Sequence, residues 1–121
     1  MSAFDELRDI SPLQVWPGLI ARTLTGAQAT LAQIELEPSI DVPEHSHVNE
    51  QIGILTGGSL TFRIGDEERV LEPGGTWVIP AHVPHSVTAG PDGATLIEVF
   101  VPGRIDWADR ERLEPRAPKL P

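Results

Sequence analysis

The chain contains no cysteine, which excludes disulfides and thiolate metal ligands and leaves the redox compartment open. Basic residues are scarce. Lys and Arg total 9 against 18 Asp and Glu, giving a formal net charge of −9 and a pI near 4.7. That field repels a phosphate backbone, so no nucleic-acid partner is expected. It equally disfavours an anionic membrane surface. No apolar run approaches the roughly 20 residues that cross a bilayer as a helix. The stretch MSAFDELRDI turns acidic early and has no apolar h-region, so no signal peptide is expected and a cytoplasmic address is the default. An anionic small substrate is compatible with the charge only where a local cation or metal offsets the field.

Helical periodicity is nearly absent too. Short apolar runs alternate with turn signals instead. Residues 19–25, 29–37, 51–56, 59–65, 76–80 and 94–101 read as strands. Between them, GG at 57–58, GDEE at 65–68, PGG at 73–75 and AGPDG at 89–93 read as turns. Strands at such spacing predict an all-β sandwich or barrel. A length of 121 residues predicts one domain, with a core that needs no disulfide or structural metal. Residues 1–12 read as a short helical turn or an arm. Residues 105–121, charged and Pro-rich, read as an extended tail or a short helix followed by coil. Such a tail packs on the barrel, packs on a second subunit, or frays.

Histidine is equally scarce, and its placement is informative. All 4 fall in two segments, PEHSHVNEQ (43–51) and PAHVPH (80–85). Side chains alternate faces along a strand. His45, His47 and Gln51 share parity, so on one unbulged strand they point to one face. His85 is then expected from a neighbouring strand. Three imidazoles and one amide oxygen make a four-point site for a divalent transition metal: Zn, Ni, Fe, Mn or Co. The competing reading of a His-x-His strand is two surface residues. His82 reads as a turn residue, because histidine is among the non-glycine residues that tolerate positive φ.

At these residues the sequence resembles the cupin superfamily. The first cupin motif, G-x5-H-x-H-x3-E-x6-G, aligns with His45, His47, Gln51 and Gly58 in HSHVNEQIGILTGG. The second, G-x5-P-x-G-x2-H-x3-N, aligns with Gly74, Pro80, His82 and His85 in GGTWVIPAHVPH. The resemblance covers roughly residues 16–104. It implies a double-stranded β-helix, a jelly-roll barrel with the metal inside, carrying a short N-terminal arm and a Pro-rich C-terminal tail. The leading glycine of the first motif is replaced by Ser39, beside Ile40. The usual glutamate ligand is Gln51. The glycine after Pro80 is His82, and the closing asparagine is Ala89. Three imidazoles and an amide are all neutral, so a metal here keeps its full positive charge. That favours Lewis-acid work over oxygen chemistry at iron, which commonly uses a carboxylate ligand.

Within the superfamily the sequence is similar to the pectin-degradation cupins, associated with linearising unsaturated uronates. The resemblance runs through HSHVNEQIG, RIGDEERVLEPGGTWVIPAHVPHSV and the strand ending IEVFVPGR. It implies that Glu98, Phe100 and Arg104 serve as acid, aromatic wall and carboxylate clamp. The family acid is more usually aspartate. It also implies a homodimer and a small acidic sugar as substrate. Read from the residues alone, Glu98 shares parity with Leu96 and Phe100. Facing inward it would be desolvated, with its pKa raised as acid–base work near neutrality requires. Facing outward it would leave Ile97, Val99 and Val101 to fill the core. Arg104 is either a clamp or a surface ion pair. The rival functions are another metal-dependent cupin enzyme, such as a dioxygenase or a different isomerase, and a non-catalytic small-molecule binder.

Overall fold

Alternation of apolar and polar residues builds nine strands in the computed structural model, which describes residues 2–120. They are β1 (Leu13–Trp16), β2 (Leu19–Thr25), β3 (Thr30–Leu36), β4 (Asp41–His45), β5 (Glu50–Ile64), β6 (Glu67–Leu71), β7 (Thr76–Ile79), β8 (His85–Val101) and β9 (Glu111–Arg112). Single 3-10 turns lie at Leu7–Asp9 and Ile105–Asp109. All strand pairs are antiparallel.

The long strands β5 and β8 each serve two sheets. The first half of β5 lies between β7 and the second half of β8, which continues to β3, β2, β1 and β9. The second half of β5 lies between β6 and the first half of β8, which continues to β4. The two sheets face each other across a shared interior, which is the jelly-roll arrangement expected.

Two expected turns prove to be bulges inside these strands. The register between β5 and β8 shifts on either side of Gly57–Gly58, between Leu55 and Gly57 and between Gly58 and Leu60, and residues 90–93 of β8 lie opposite the single Ser59. Gly58 and Gly93 both have positive φ, at 71° and 80°. A Cβ on Gly58 would sit 2.1 Å from the Gly93 carbonyl oxygen, so only glycine permits this crossing. The bend carries each strand from one sheet into the other.

The interior is filled by Leu55, Leu60, Ile79, Leu96 and Phe100, each at most 3% exposed. Each contributes about 1.5–3 kcal/mol through burial. The outer face of the first sheet keeps Ile52, Ile54, Val78, Ile97 and Val101 exposed. No helix among the described residues is long and apolar enough to cross a membrane.

The C-terminal segment packs on the barrel. Arg22, fully buried on the outer side of β2, donates to Gln33 Oε1 at 3.0 Å, Glu35 Oε2 at 2.6 Å and the Arg116 carbonyl at 3.1 Å. The Lys119 amide donates to Glu35 Oε2 at 3.0 Å. A buried guanidinium needs such partners.

Both motif glycines that this chain lacks fall where the backbone is left-handed: Ser39 has φ 61° and His82 φ 67°. His82 is thus the turn residue expected, with its amide on the His47 carbonyl at 2.8 Å. Ser39 is exposed, so strain relief is the main effect of changing it. Ser39→Gly is expected to stabilise the fold by about 0.5–1 kcal/mol. The gain would be read as a higher urea midpoint at unchanged m-value, with no such gain from Ser39→Ala.

Candidate metal centre and adjoining cavity

His45, His47 and Gln51 do not share the one strand expected; they lie on two strands and the turn between them. His45 ends β4, His47 sits in the turn at 46–49, and Gln51 opens β5. His85 opens β8, directly across from His45. The four side chains converge although the chain reverses between the first and the third. A carbonyl two residues away fixes each imidazole. Nδ1 of His45 meets the Pro43 oxygen at 2.8 Å, that of His47 the Asn49 oxygen at 2.9 Å, and that of His85 the Val83 oxygen at 2.9 Å. A carbonyl only accepts, so each Nδ1 carries a proton and each Nε2 points away from the backbone.

The three rings can each place one nitrogen within 4.8 Å of the others. His85 Nε2 is buried with no hydrogen-bond partner among the described residues. Burial first, then the like charge of neighbouring groups, lowers the His85 pKa to about 4; burial and Arg104 also lower that of His47. Both rings are therefore neutral ligands at pH 7. Gln51 stands beside the three rings. Its amide nitrogen donates to Glu98 Oε2, which turns its own oxygen to within 3.0 Å of His47 Nε2. Two lone pairs then face each other, an arrangement suited to a shared cation. The donor set thus fits a divalent transition ion, and its neutral atoms suit Zn, Ni, Fe, Mn and Co alike.

Glu98 faces inward and is only 5% exposed. Its Oε2 also accepts the indole N–H of Trp77 at 2.7 Å. Its Oε1 takes no hydrogen bond among the described residues. Desolvation raises its pKa to about 7 against the opposing pull of the Gln51 and Trp77 donors and Arg104. Phe100 is buried beside it on the same face of β8, and its ring stands 6.0 Å from that of His47.

Arg104 lines the same cavity, with its guanidinium 4.3 Å from the Trp107 ring and 4.9 Å from Phe100. Its bidentate edge is already occupied. Nε donates to Asp106 Oδ1 at 3.0 Å and Nη2 to Oδ2 at 2.9 Å. These bonds hold the Asp106 pKa below the usual carboxylate range. The two sequence readings of Arg104 thus coexist: it is ion-paired through one edge and faces the cavity with the rest. The cavity encloses about 270 Å³. Its polar wall is His45, Gln51, His85, Glu98, Arg104 and Arg110; the remainder is apolar or aromatic.

The cupin domain family matches residues 32–100, more than half of the chain. The chain is a cupin. Among curated proteins it is similar to the pectin degradation protein KdgF of Dickeya dadantii strain 3937, at 29% identity over 69 residues. That stretch is 57% of this chain and spans 63% of the relative's length. Among solved structures, an RmlC-like cupin from Shewanella frigidimarina superposes with a TM-score of 0.81 at 22% identity, covering 89% of this chain and 97% of that one. KdgF from a Halomonas species superposes with a TM-score of 0.79 at 23% identity, covering 88% and 98%. These two structures establish the shared fold.

Four residues of this cupin escape sequence reasoning: Trp107 and Arg110, which line the cavity, and Trp77 and Asp106, which hold the cavity residues Glu98 and Arg104. Trp77 carried a signal. It alternates inward with Ile79 along β7, and Gly53 interrupts the inward row of β5 at the same level. Trp107 carried none, because its 3-10 turn lies in the segment read as tail. Its ring packs edge-on against Phe100 at 5.2 Å and closes one side of the cavity.

Proposed function

We propose that this cupin opens and tautomerises an unsaturated acidic sugar beside a divalent metal held by His45, His47, Gln51 and His85. The observation that carries the reading is a buried Glu98 with one unbonded oxygen, lining the same cavity as His45, His85 and Arg104. The similarity to a pectin degradation protein supports the choice of substrate class.

The chemistry needs a proton moved, with no net oxidation. The hemiacetal hydroxyl loses its proton, the ring C–O bond breaks, and an aldehyde and an enolate result. The adjacent alkene carbon of the enolate then gains a proton, leaving a ketone. A carboxyl titrating near neutrality can take up the first proton and deliver the last. Glu98 Oε1 is the atom available for both. When bound, the metal supplies Lewis acidity, stabilising negative charge on an alkoxide or enolate oxygen. Arg104 Nη1 takes one oxygen of the substrate carboxylate while Asp106 holds the opposite edge of the guanidinium. Phe100 forms the wall that keeps the sugar ring against Glu98 and excludes water.

Metal-loaded protein given an unsaturated monouronate from lyase-digested pectate should remove the conjugated chromophore faster than buffer. Arg104→Ala should raise KM about 10- to 100-fold, the worth of one charge-assisted hydrogen bond, with metal content unchanged. Decay at the buffer rate for every metal would end this reading.

One observation favours a second reading. Below the polar wall the cavity is lined by Ile34, Leu36, Val42, Leu60 and Leu96. That floor offers no partner for hydroxyl groups and suits a less hydroxylated acid, oxidised by a dioxygenase or simply bound. Oxygen uptake by iron-loaded protein, or thermal stabilisation without turnover, would select between those alternatives.

A further inference from the structure

We propose that Trp77 is a positioning residue, whose indole N–H locks the Glu98 carboxyl so that Oε1 alone is presented to the cavity. This rests on the reading of Glu98 as the proton-moving group.

Three neighbouring strands build the arrangement. Glu98 on β8 and Trp77 on β7 flank β5, and both are in register with Gly53. They are therefore two strands apart, further than adjacent side chains usually reach. Gly53 closes the distance. A Cβ at that position would lie 2.5 Å from two carbons of the Trp77 ring and 2.6 Å from its nitrogen. The indole thus occupies the space that any other residue at position 53 would fill, and crosses it to Glu98 Oε2 at 2.7 Å. Gly53 has no positive φ, so backbone conformation does not explain it. Space for the ring does.

The choice of donor matters chemically. An indole N–H only donates. It cannot take the proton that Glu98 handles, as a histidine in that place could. The Gln51 amide donates to the same oxygen. With two N–H donors on Oε2, a proton on the carboxyl must reside on Oε1. The pair therefore does more than orient the side chain: it selects which oxygen transfers the proton. Gln51 links this lock to the metal set, because one end of its amide faces His47 and the other holds Glu98. Trp77 also packs against Phe62, with ring centroids 5.1 Å apart, so a purely structural role is the competing explanation.

Indole-15N-labelled full-length protein, metal-loaded, separates the two. The chain has 3 tryptophans, so three indole N–H resonances can be assigned with Trp16→Phe and Trp107→Phe. The Trp77 resonance should lie furthest downfield, exchange slowly with solvent, and move upfield in Glu98→Ala. In turnover, Trp77→Phe and Gly53→Ala should each lower kcat about 10- to 100-fold, the cost of a misplaced reacting group. KM and metal content should hold within about two-fold. Trp77→Phe should cost nothing further on a Glu98→Gln background. A Trp77 resonance indifferent to Glu98 would overturn the proposal without any Trp77 variant needing to fold. So would an unchanged kcat in a folded, metal-replete Trp77→Phe. If wild type turns over no unsaturated uronate, the functional reading fails by itself, and the resonance still decides whether Trp77 holds Glu98.

Discussion

Replacing Glu98 with Gln is expected to make the proposed turnover about 10²- to 10⁴-fold slower, the usual worth of a positioned proton-transfer group, and the metal-free protein more stable at alkaline pH. Both effects follow from one carboxyl. Its pKa is raised from 4.5 to about 7 because the charged form is desolvated. Below pH 4.5 the group is protonated whether the chain is folded or not. Between 4.5 and 7 the unfolded chain releases the proton and the folded chain keeps it. Stability therefore falls as pH rises through this window, by on the order of 3 kcal/mol once both states are ionised. Glutamine removes that loss and keeps the geometry, since its amide oxygen still accepts from Gln51 and Trp77. Urea midpoints at pH 5 and pH 8 measure the effect. Wild type should weaken between them, and Glu98→Gln should weaken by less. Equal pH dependence in both proteins would mean that the carboxyl is not desolvated as the fold indicates.

Removing two imidazoles should have the second large effect. Tag-free protein is expected to hold about one equivalent of a transition metal per chain by plasma mass spectrometry, and His45→Ala/His47→Ala close to none. Activity of the double variant should fall to the buffer rate. Stability of the metal-free protein should change by only about 0.5 kcal/mol, because His45 is exposed and neither ring belongs to the apolar core. Added metal should raise the melting temperature of wild type and leave the variant unmoved. Absence of metal from wild type, even after reloading, would remove the basis of the enzymatic reading and favour a metal-free binding barrel.

Much of this arrangement was legible before any coordinates. The strand expected at 19–25 matches β2, and the one expected at 76–80 ends one residue earlier as β7; both follow from alternation and the turn residues that bound them, because a half-buried strand needs a period of two. Alternation also paired Glu98 with Phe100 on one face, and left open only which face was inside. The spacing of His45, His47 and Gln51 pointed to a shared centre even though the one-strand argument for it was mistaken. Ala89–Gly93 shows why such arguments fail. Gly, Pro and Asp signal a change of direction but do not distinguish a hairpin from a bulge within one strand. That choice depends on what lies alongside, here Leu36 and Gly58 pressed against the backbone of Gly93.

By itself, then, the sequence determined the all-β class and pointed to four candidate metal ligands of neutral chemistry, both from residue type and short spacing. The set of Glu98, Phe100 and Arg104 came from resemblance to a family, with spacing alone giving only the shared face of Glu98 and Phe100. Only the tertiary structure decided that Trp77 reaches Glu98 across Gly53, that Asp106 holds one edge of Arg104, and that Trp107 closes the cavity. Each of those depends on strand register and on how a terminal segment docks. Long-range packing sets both, and no periodicity within a single strand records it.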